Sequence, residues 1–296
     1  MKKRPLLMAS LTIGGMFLFF LLVVLVAGSW WGHSELVPVG EKIGIVEVLG
    51  PIEDSKLLIE QIQDFRDNGS IKAVVLRIDS PGGGVGPSQE IYSEIRKLTE
   101  VKPVIVSMGS VAASGGYYIA APAERIFANP GTITGSIGVI MTFANYQELM
   151  GKVGVKSLVV KSGKFKDTGS AVRPFTDDDQ KLIQSLIDDV HAQFVEAVIL
   201  GRNMTTEQVV PLADGRIYSG RQALDVGLVD ELGNLQDAIA YAAELTGLGK
   251  DPTLIYPRPE KKELLERLLE SSIGRFGTKV ISSPAGAGAQ YLWTGI

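Results

Sequence analysis

The chain has 296 residues, 45% of them apolar and 21% charged, enough for one large globular domain or two small ones. A net charge of −4 gives no basic surface for nucleic acid. The absence of cysteine excludes disulfides, thiolate zinc sites and a cysteine nucleophile, and a total of two histidines argues against a histidine-based metal site.

Residues 5–34 contain no Asp, Glu, Lys or Arg and follow the basic start Lys2, Lys3, Arg4. Roughly 20 apolar residues suffice to span a bilayer, so this run predicts one N-terminal transmembrane helix. The basic start stays in the cytoplasm, and Trp30 and Trp31 suit the far interface. A cleaved signal peptide is the alternative, with "VAG" at 26–28 as a weak cleavage site, but its apolar core would be shorter, at about 7–15 residues. The expected organisation is an anchor over 1–34, an extracytoplasmic α/β domain over 35–258, and a distinct tail over 259–296. That makes a single-pass protein of the cell membrane.

Along the α/β domain, "KIGIVEVLG" (42–50) predicts a strand and "SKLLIEQIQDFRDN" (55–68) a helix. "IKAVVLRIDS" (71–80) is a near-continuous apolar run, as in a strand covered on both faces. "PSQEIYSEIRKL" (87–98) predicts a helix and "PVIVSMG" (103–109) another buried strand. A short helix starts in "SGGYYIAAPA" (114–123), and "RIFANP" (125–130) and "VKSLVV" (155–160) predict strands. A long helix runs from about Asp177 to Gly201, and two more helix–strand pairs follow. Strands alternating with helices imply a largely parallel sheet. In the tail, 259–272 is amphipathic and charged, and 284–296 is Gly/Ala-rich and predicted to lack regular structure.

Four segments carry candidate chemistry. In "GSVAASGGYYIA" (109–120), Ser114 is flanked by small residues that let a substrate backbone approach. A serine hydroxyl needs a base. His33 lies at the membrane exit and His191 in mid-helix, and Ser114 does not stand in a G-x-S-x-G elbow. Lysine can replace histidine as the base, provided that burial lowers its pKa from about 10.4 towards 7–8. In "VVKSGKFKDTGSAVRPF" (159–175), Lys161, Lys164 and Lys166 are all available, and composition does not choose among them. "IDSPGGGV" (78–85) places three glycines after a buried strand, as a turn whose N–H groups can face an oxyanion or let another chain pass closely. "GTITGSIGVIM" (131–141) sets Ser136 between small residues, at a turn leading into a strand.

Together with "DGRIYSGRQALDVGLVDELG" (214–233), these segments resemble, in order and spacing, the signal peptide peptidase A family in its short bacterial form. The resemblance covers about 42–248. It implies a ClpP/crotonase-like fold of repeated β-β-α units and a membrane-bound serine endopeptidase that degrades remnant signal peptides. Ser114 falls on the nucleophile, Lys166 in S-G-x-x-K-D on the general base, and Ser136 in T-G-S-x-G on the serine that hydrogen-bonds the lysine. The oxyanion donors are then Gly115 and one of the 82–84 glycines, Gly83 in preference to Gly82. No metal or cofactor is implied. Because the chain has one half of the family's tandem long form, the resemblance also implies a homo-oligomeric ring, with Ser114 and Lys166 meeting across a protomer boundary.

The tail sequence "SSPAGAGAQYLW" (282–293) alternates small residues, and is expected to be able to enter an active site as substrate or plug, in small pockets. Two rival readings are a stomatin-specific membrane serine protease, whose extra spans this sequence lacks, and a crotonase-like acyl-CoA enzyme, which an exported domain disfavours. A third is a non-enzymatic scaffold, which the presence of both Ser114 and Lys166 disfavours.

Overall fold

The computed structural model describes residues 13–23, 40–257 and 289–294. Residues 13–23 form a helix, α1, within the expected anchor, whose remaining residues lie outside those described. Among the described residues no helix is long and apolar enough to cross a membrane. The predicted helix over 259–272 also lies outside the described residues.

The α/β unit begins with β1 (Lys42–Leu49), α2 (Lys56–Asp67), β2 (Ile71–Ser80), the short β3 (Gly82–Gly84), α3 (Val85–Thr99) and β4 (Val104–Ala113). There follow α4 (Gly115–Ala120), β5 (Arg125–Ala128), β6 (Ile133–Gly135), α5 (Gln147–Lys152) and the long α6 (Asp177–Arg202). Then come α7 (Thr206–Val209), a 3₁₀ turn, β7 (Ile217–Ser219), α8 (Gly220–Asp225), β8 (Glu231–Leu232), α9 (Leu235–Thr246), β9 (Thr253–Ile255) and β10 (Gln290–Leu292).

Eight strands form one sheet in the order β7-β6-β4-β2-β1-β9, with β5 and β8 branching from β4. Every pairing is parallel except β6 with β7. The sheet is the mixed, parallel-rich α/β arrangement expected of a ClpP-like fold.

The apolar run of β2 divides by parity. Val74, Leu76 and Ile78 join the larger core, which includes Ile91, Ile95 and Leu98 of α3 and Phe194 of α6. Ala73 and Val75 face the other way and pack with Ala238, Ile239, Ala242 and Ala243 of α9. Each buried Val, Leu or Ile contributes about 1.5–3 kcal/mol by leaving water, so both faces need a helical cover.

β4 is where the sheet makes its site. Its first half pairs with β5 (Ile105↔Arg125 to Met108↔Ala128) and its second half with β6 (Val111↔Ile133 to Ala113↔Gly135). The fork at Gly109 opens the sheet, and the chain leaves its two branches at Ser114, which leads directly into α4, and at Ser136.

Three local expectations need correction. Residues 155–160 are not a strand: Leu158 is 92% and Val160 94% exposed. The segment has strand-forming residues, but it pairs with no strand among the described residues. The glycines at 82–84 form a strand rather than a free turn, and residues 290–292 of the tail form its partner. Finally, a strand precedes Ser136 instead of following it, because residues 133–135 find the open edge of β4.

Candidate active site

Three non-glycine residues have positive φ among those described: Ser114 (54°), Ser136 (50°) and Asn203 (52°). Asn203 caps the C-terminus of α6, where that conformation is common. The two serines are strained without such a reason, at an expected 1–3 kcal/mol or so each. Ser114 is 1% and Ser136 8% exposed. Ser114 sits between β4 and α4, and its N–H donates to the Gly135 carbonyl (2.8 Å). Ser136 donates its N–H to the carbonyl of Arg216 (2.8 Å). The two strained residues therefore occupy adjacent strand ends.

Beside them runs the tail. β10 pairs antiparallel with β3, with Tyr291 opposite Gly83. Gln290 forms an antiparallel bridge with Ile140 on the other side, exchanging hydrogen bonds of 3.1 Å in both directions. Residues 290–292 thus lie in a slot between β3 and the segment after Ser136, as an added strand.

The hydrogen-bond phase of β3 follows from its other neighbour. Ile52 donates to the Gly82 carbonyl and accepts from the Gly84 N–H (both 2.8 Å), which turns the N–H and carbonyl of Gly83 toward Tyr291. The bond from Trp293 N–H to the Pro81 carbonyl (2.9 Å) keeps the same phase. The Gly82 N–H is engaged elsewhere, by Ser80 Oγ at 3.1 Å.

The Tyr291 carbonyl oxygen is enclosed by glycine backbone. A Cβ on Gly82, whose φ is +95°, would fall 2.1 Å from this oxygen and 2.5 Å from the Gly115 nitrogen. A Cβ on Gly115 would meet the same oxygen at 3.1 Å and Ser88 Oγ at 2.7 Å. Glycine at 82 and 115 is what allows a carbonyl to sit against these amides. Ser88 Oγ is itself tied to the Gly84 carbonyl (2.8 Å), which fixes the start of α3 under the slot.

A cavity of about 310 Å³ opens next to Ser136, walled by Ile140, Gln184, Asp188, His191 and Asp214 and touched by Leu292. His191 Nε2 is buried without a hydrogen-bond partner among the described residues. It belongs to the wall of this cavity, and no hydrogen bond ties it to Ser114. His33 lies outside the described residues.

Lys166 is exposed, and no hydrogen bond joins it to Ser114 or Ser136 among the described residues. Its loop is nevertheless held firmly. Asp167 pairs with Lys161 (2.6 Å) and Arg173 (3.0 Å), and Arg173 pairs with Asp179 (2.5 Å). Thr168 Oγ1 donates to Asp179 (2.9 Å), and Asp179 completes a capping box with Thr176 at the start of α6. The Arg173 guanidinium and the Thr176 donors hold the Asp179 carboxyl far below the usual carboxylate range. Lys164 pairs with Asp178, and Lys161 with Asp167. Lys166 is therefore the lysine of the three left without an ion pair among the described residues.

The structure thus brings together Ser114, Gly115, Ser136 and Gly83, and leaves Lys166 at the surface. The sequence reading did not find Tyr118, Val190 and Phe194, which receive the Tyr291 side chain, or the Arg173–Asp179 anchor. The Pro-Phe-Thr-Asp-Asp-Asp run at 174–179 was the available signal for that anchor, as a cap before a long helix.

The comparisons with known proteins agree with this fold. The sequence profile of peptidase family S49 matches residues 96–249, and that of Clp protease matches 42–133. A Synechocystis sp. protein named as a protease is 44% identical over 230 residues, covering 77% of this chain and 83% of that protein. An Enterococcus faecium protein named as a signal peptide peptidase SppA is 42% identical over 182 residues, 61% of this chain and 53% of that one. Protease 4 of Haemophilus influenzae is 33% identical over 269 residues, 87% of this chain and 43% of its own length. The chain belongs to peptidase family S49, the serine peptidases of the signal peptide peptidase A type.

Proposed function

We propose that the protein is a membrane-anchored serine endopeptidase that uses a Ser-Lys dyad to degrade remnant signal peptides and other exported peptides. The observation that carries this reading is the tail strand, whose Tyr291 carbonyl rests against Gly82 and Gly115 while its backbone pairs with Gly83. An extended peptide lying the same way offers a carbonyl to the residue before Gly115, which is Ser114.

The chemistry follows. Ser114 Oγ attacks the carbonyl carbon as neutral Lys166 removes its proton. The N–H groups of Gly115 and Gly83 receive the oxyanion, each worth about 10²–10³ in rate. Gly83 is favoured over Gly82 because Ser80 occupies the Gly82 N–H. Lys166 then protonates the leaving amine, and water hydrolyses the serine ester. Ser136 orients the lysine amine.

Lys166 comes from a second copy of the chain in a homo-oligomeric ring. Its exposure in one chain, the firm Arg173–Asp179 anchor behind it, and the bare apolar segment 155–160 leading to it support that arrangement. A neighbouring copy would desolvate the amine, as a lysine base requires. The N-terminal apolar run holds the ring at the cell membrane with the peptidase domain outside the cytoplasm. The peptidase family favours a peptide over the thioester of the crotonase-like alternative.

The test is covalent labelling with a fluorophosphonate, read by peptide mass mapping. A single adduct on Ser114 in wild type, and its loss in Lys166→Ala at the same pH, is the expected result. An adduct elsewhere, or labelling indifferent to Lys166, would overturn the dyad.

A further inference from the structure

β4 gains residues on β2 just before the site. Ile78 pairs with Met108 but Ser80 pairs with Ala112, so Asp79 alone stands opposite Gly109, Ser110 and Val111. A bulge bends its strand and re-aims whatever follows. Here Ala112, Ala113 and then Ser114 follow.

The Asp79 carboxylate fills this bulge. Its Oδ1 accepts the Val111 N–H at 3.0 Å. Its other side lies against Gly109, where a Cβ would fall 2.7 Å from Asp79 Cγ and 2.8 Å from Oδ2. Gly109 does not have a positive φ, so glycine there serves to make room for the carboxylate and not to free the backbone. Side-chain donors hold the carbonyls on either side of Val111. Thr132 Oγ1 donates to Gly109 (2.7 Å), Thr134 Oγ1 to Ala112 (2.7 Å), and Arg77 and Asn129 to Met108 (both 3.1 Å). Asp79 supplies the acceptor in this set.

Asp79 also belongs to the other half of the site. Its carbonyl accepts the Gly50 N–H at 2.9 Å, and three residues later Gly82 opens β3. Between them, Ser80 accepts the Gly82 N–H and pairs with Ala112. One side chain therefore joins the strand that leads to Gly83 with the strand that leads to Ser114 and Gly115.

We propose that Asp79 is a positioning residue for the nucleophile: by holding the Val111 N–H inside the bulge, it sets where Ser114 and Gly115 stand relative to Gly83. The proposal rests on the peptidase reading given above and deepens it. The carboxylate acts as an acceptor and not through its charge, so asparagine, whose Oδ1 also accepts, can take its place. β3 is held independently by Ile52, through two bonds of 2.8 Å. Loss of the Asp79 acceptor then moves the serine and leaves in place the strand on which a peptide lies. Turnover falls while substrate binding stays. A displacement of about 1 Å costs about 10²-fold in rate.

The experiment uses the full chain in detergent: wild type, Asp79→Ala, Asp79→Asn and Gly109→Ala. Each is measured for kcat and KM on one peptide, and for the rate and the final extent of fluorophosphonate labelling. Asp79→Ala is expected to lose about 10²-fold in kcat and in labelling rate, with KM within about threefold and the same final extent of labelling as wild type. Asp79→Asn is expected to restore most of both rates. Gly109→Ala keeps the carboxylate but displaces it, and should resemble Asp79→Ala; it carries the test if Asp79→Ala does not fold. A lower final extent, with the labelled fraction reacting at the wild-type rate, would make Asp79 a merely structural residue and overturn the proposal. Wild-type rates in both alanine variants would overturn it as well. An asparagine variant as slow as alanine would overturn the acceptor role. If wild type hydrolyses no peptide and labels no serine, the peptidase reading itself fails and the inference falls with it.

Discussion

Ser114 donates its backbone N–H to the carbonyl of Gly135, at 2.8 Å, and so fixes the distance between itself and Ser136. Both serines are held at positive φ, where a side chain is strained. Glycine at position 114 would relieve strain that alanine would keep. Ser114→Gly should therefore be more stable than Ser114→Ala by about 1 kcal/mol, with both inactive. Urea unfolding of the two variants decides this, and equal midpoints would show that the positive φ is not strained.

Gly82 cannot carry a side chain while a carbonyl occupies the slot. Gly82→Ala would place its Cβ 2.1 Å from the Tyr291 oxygen and 2.5 Å from the Gly115 nitrogen. Turnover should drop by at least about a hundredfold, with the fold retained as judged by circular dichroism. Wild-type kcat in a folded Gly82→Ala protein would contradict the slot as the substrate path.

The Arg173–Asp179 pair anchors the loop that carries Lys166 to the start of α6. Asp179→Asn should lower kcat more than it raises KM, because the base loses its position while the slot stays intact. The folded-state carboxyl lies far below its ordinary 3.8, so its stabilising effect is present above that value and fades as pH falls below it. The stability gap between wild type and Asp179→Asn should be constant from about pH 5 to 9 and shrink below about pH 4. A gap that widens in acid would refute the assignment.

A shared dyad makes a distinctive prediction for mixed assemblies. Ser114→Ala and Lys166→Ala should each be inactive alone. Co-expressed, a site with serine from one copy and lysine from its neighbour is intact with a chance of about one in four in a ring. Activity near a quarter of wild type is expected in the co-purified assembly. No recovery, with both chains shown to be present, would place the two residues in one chain.

The sequence was readable where chemistry or periodicity is local. The two-faced burial of β2 shows in its unbroken apolar run, and the α6 cap shows in Thr176 and Asp179. The strained serines were visible as candidates because small residues surround them. The pairing of Tyr291 with Gly83 was not readable in detail, since it joins residues about 200 positions apart and depends on backbone phase rather than side-chain type. Residues 155–160 misled for the opposite reason. Val and Leu there have strand propensity, but propensity forms a strand only where an edge is available.

The most direct test of the account is peptide hydrolysis by four full-length proteins in detergent: wild type, Ser114→Ala, Lys166→Ala and Lys164→Ala. The substrate is an Ala- and Leu-rich signal-peptide fragment containing one tyrosine. The account predicts that kcat/KM falls by about 10³-fold or more in the first two variants and stays near wild type in Lys164→Ala, whose amine is paired with Asp178. Equal activity in all four folded proteins would contradict it, and would make Ser114 a small residue in a tight turn rather than a nucleophile.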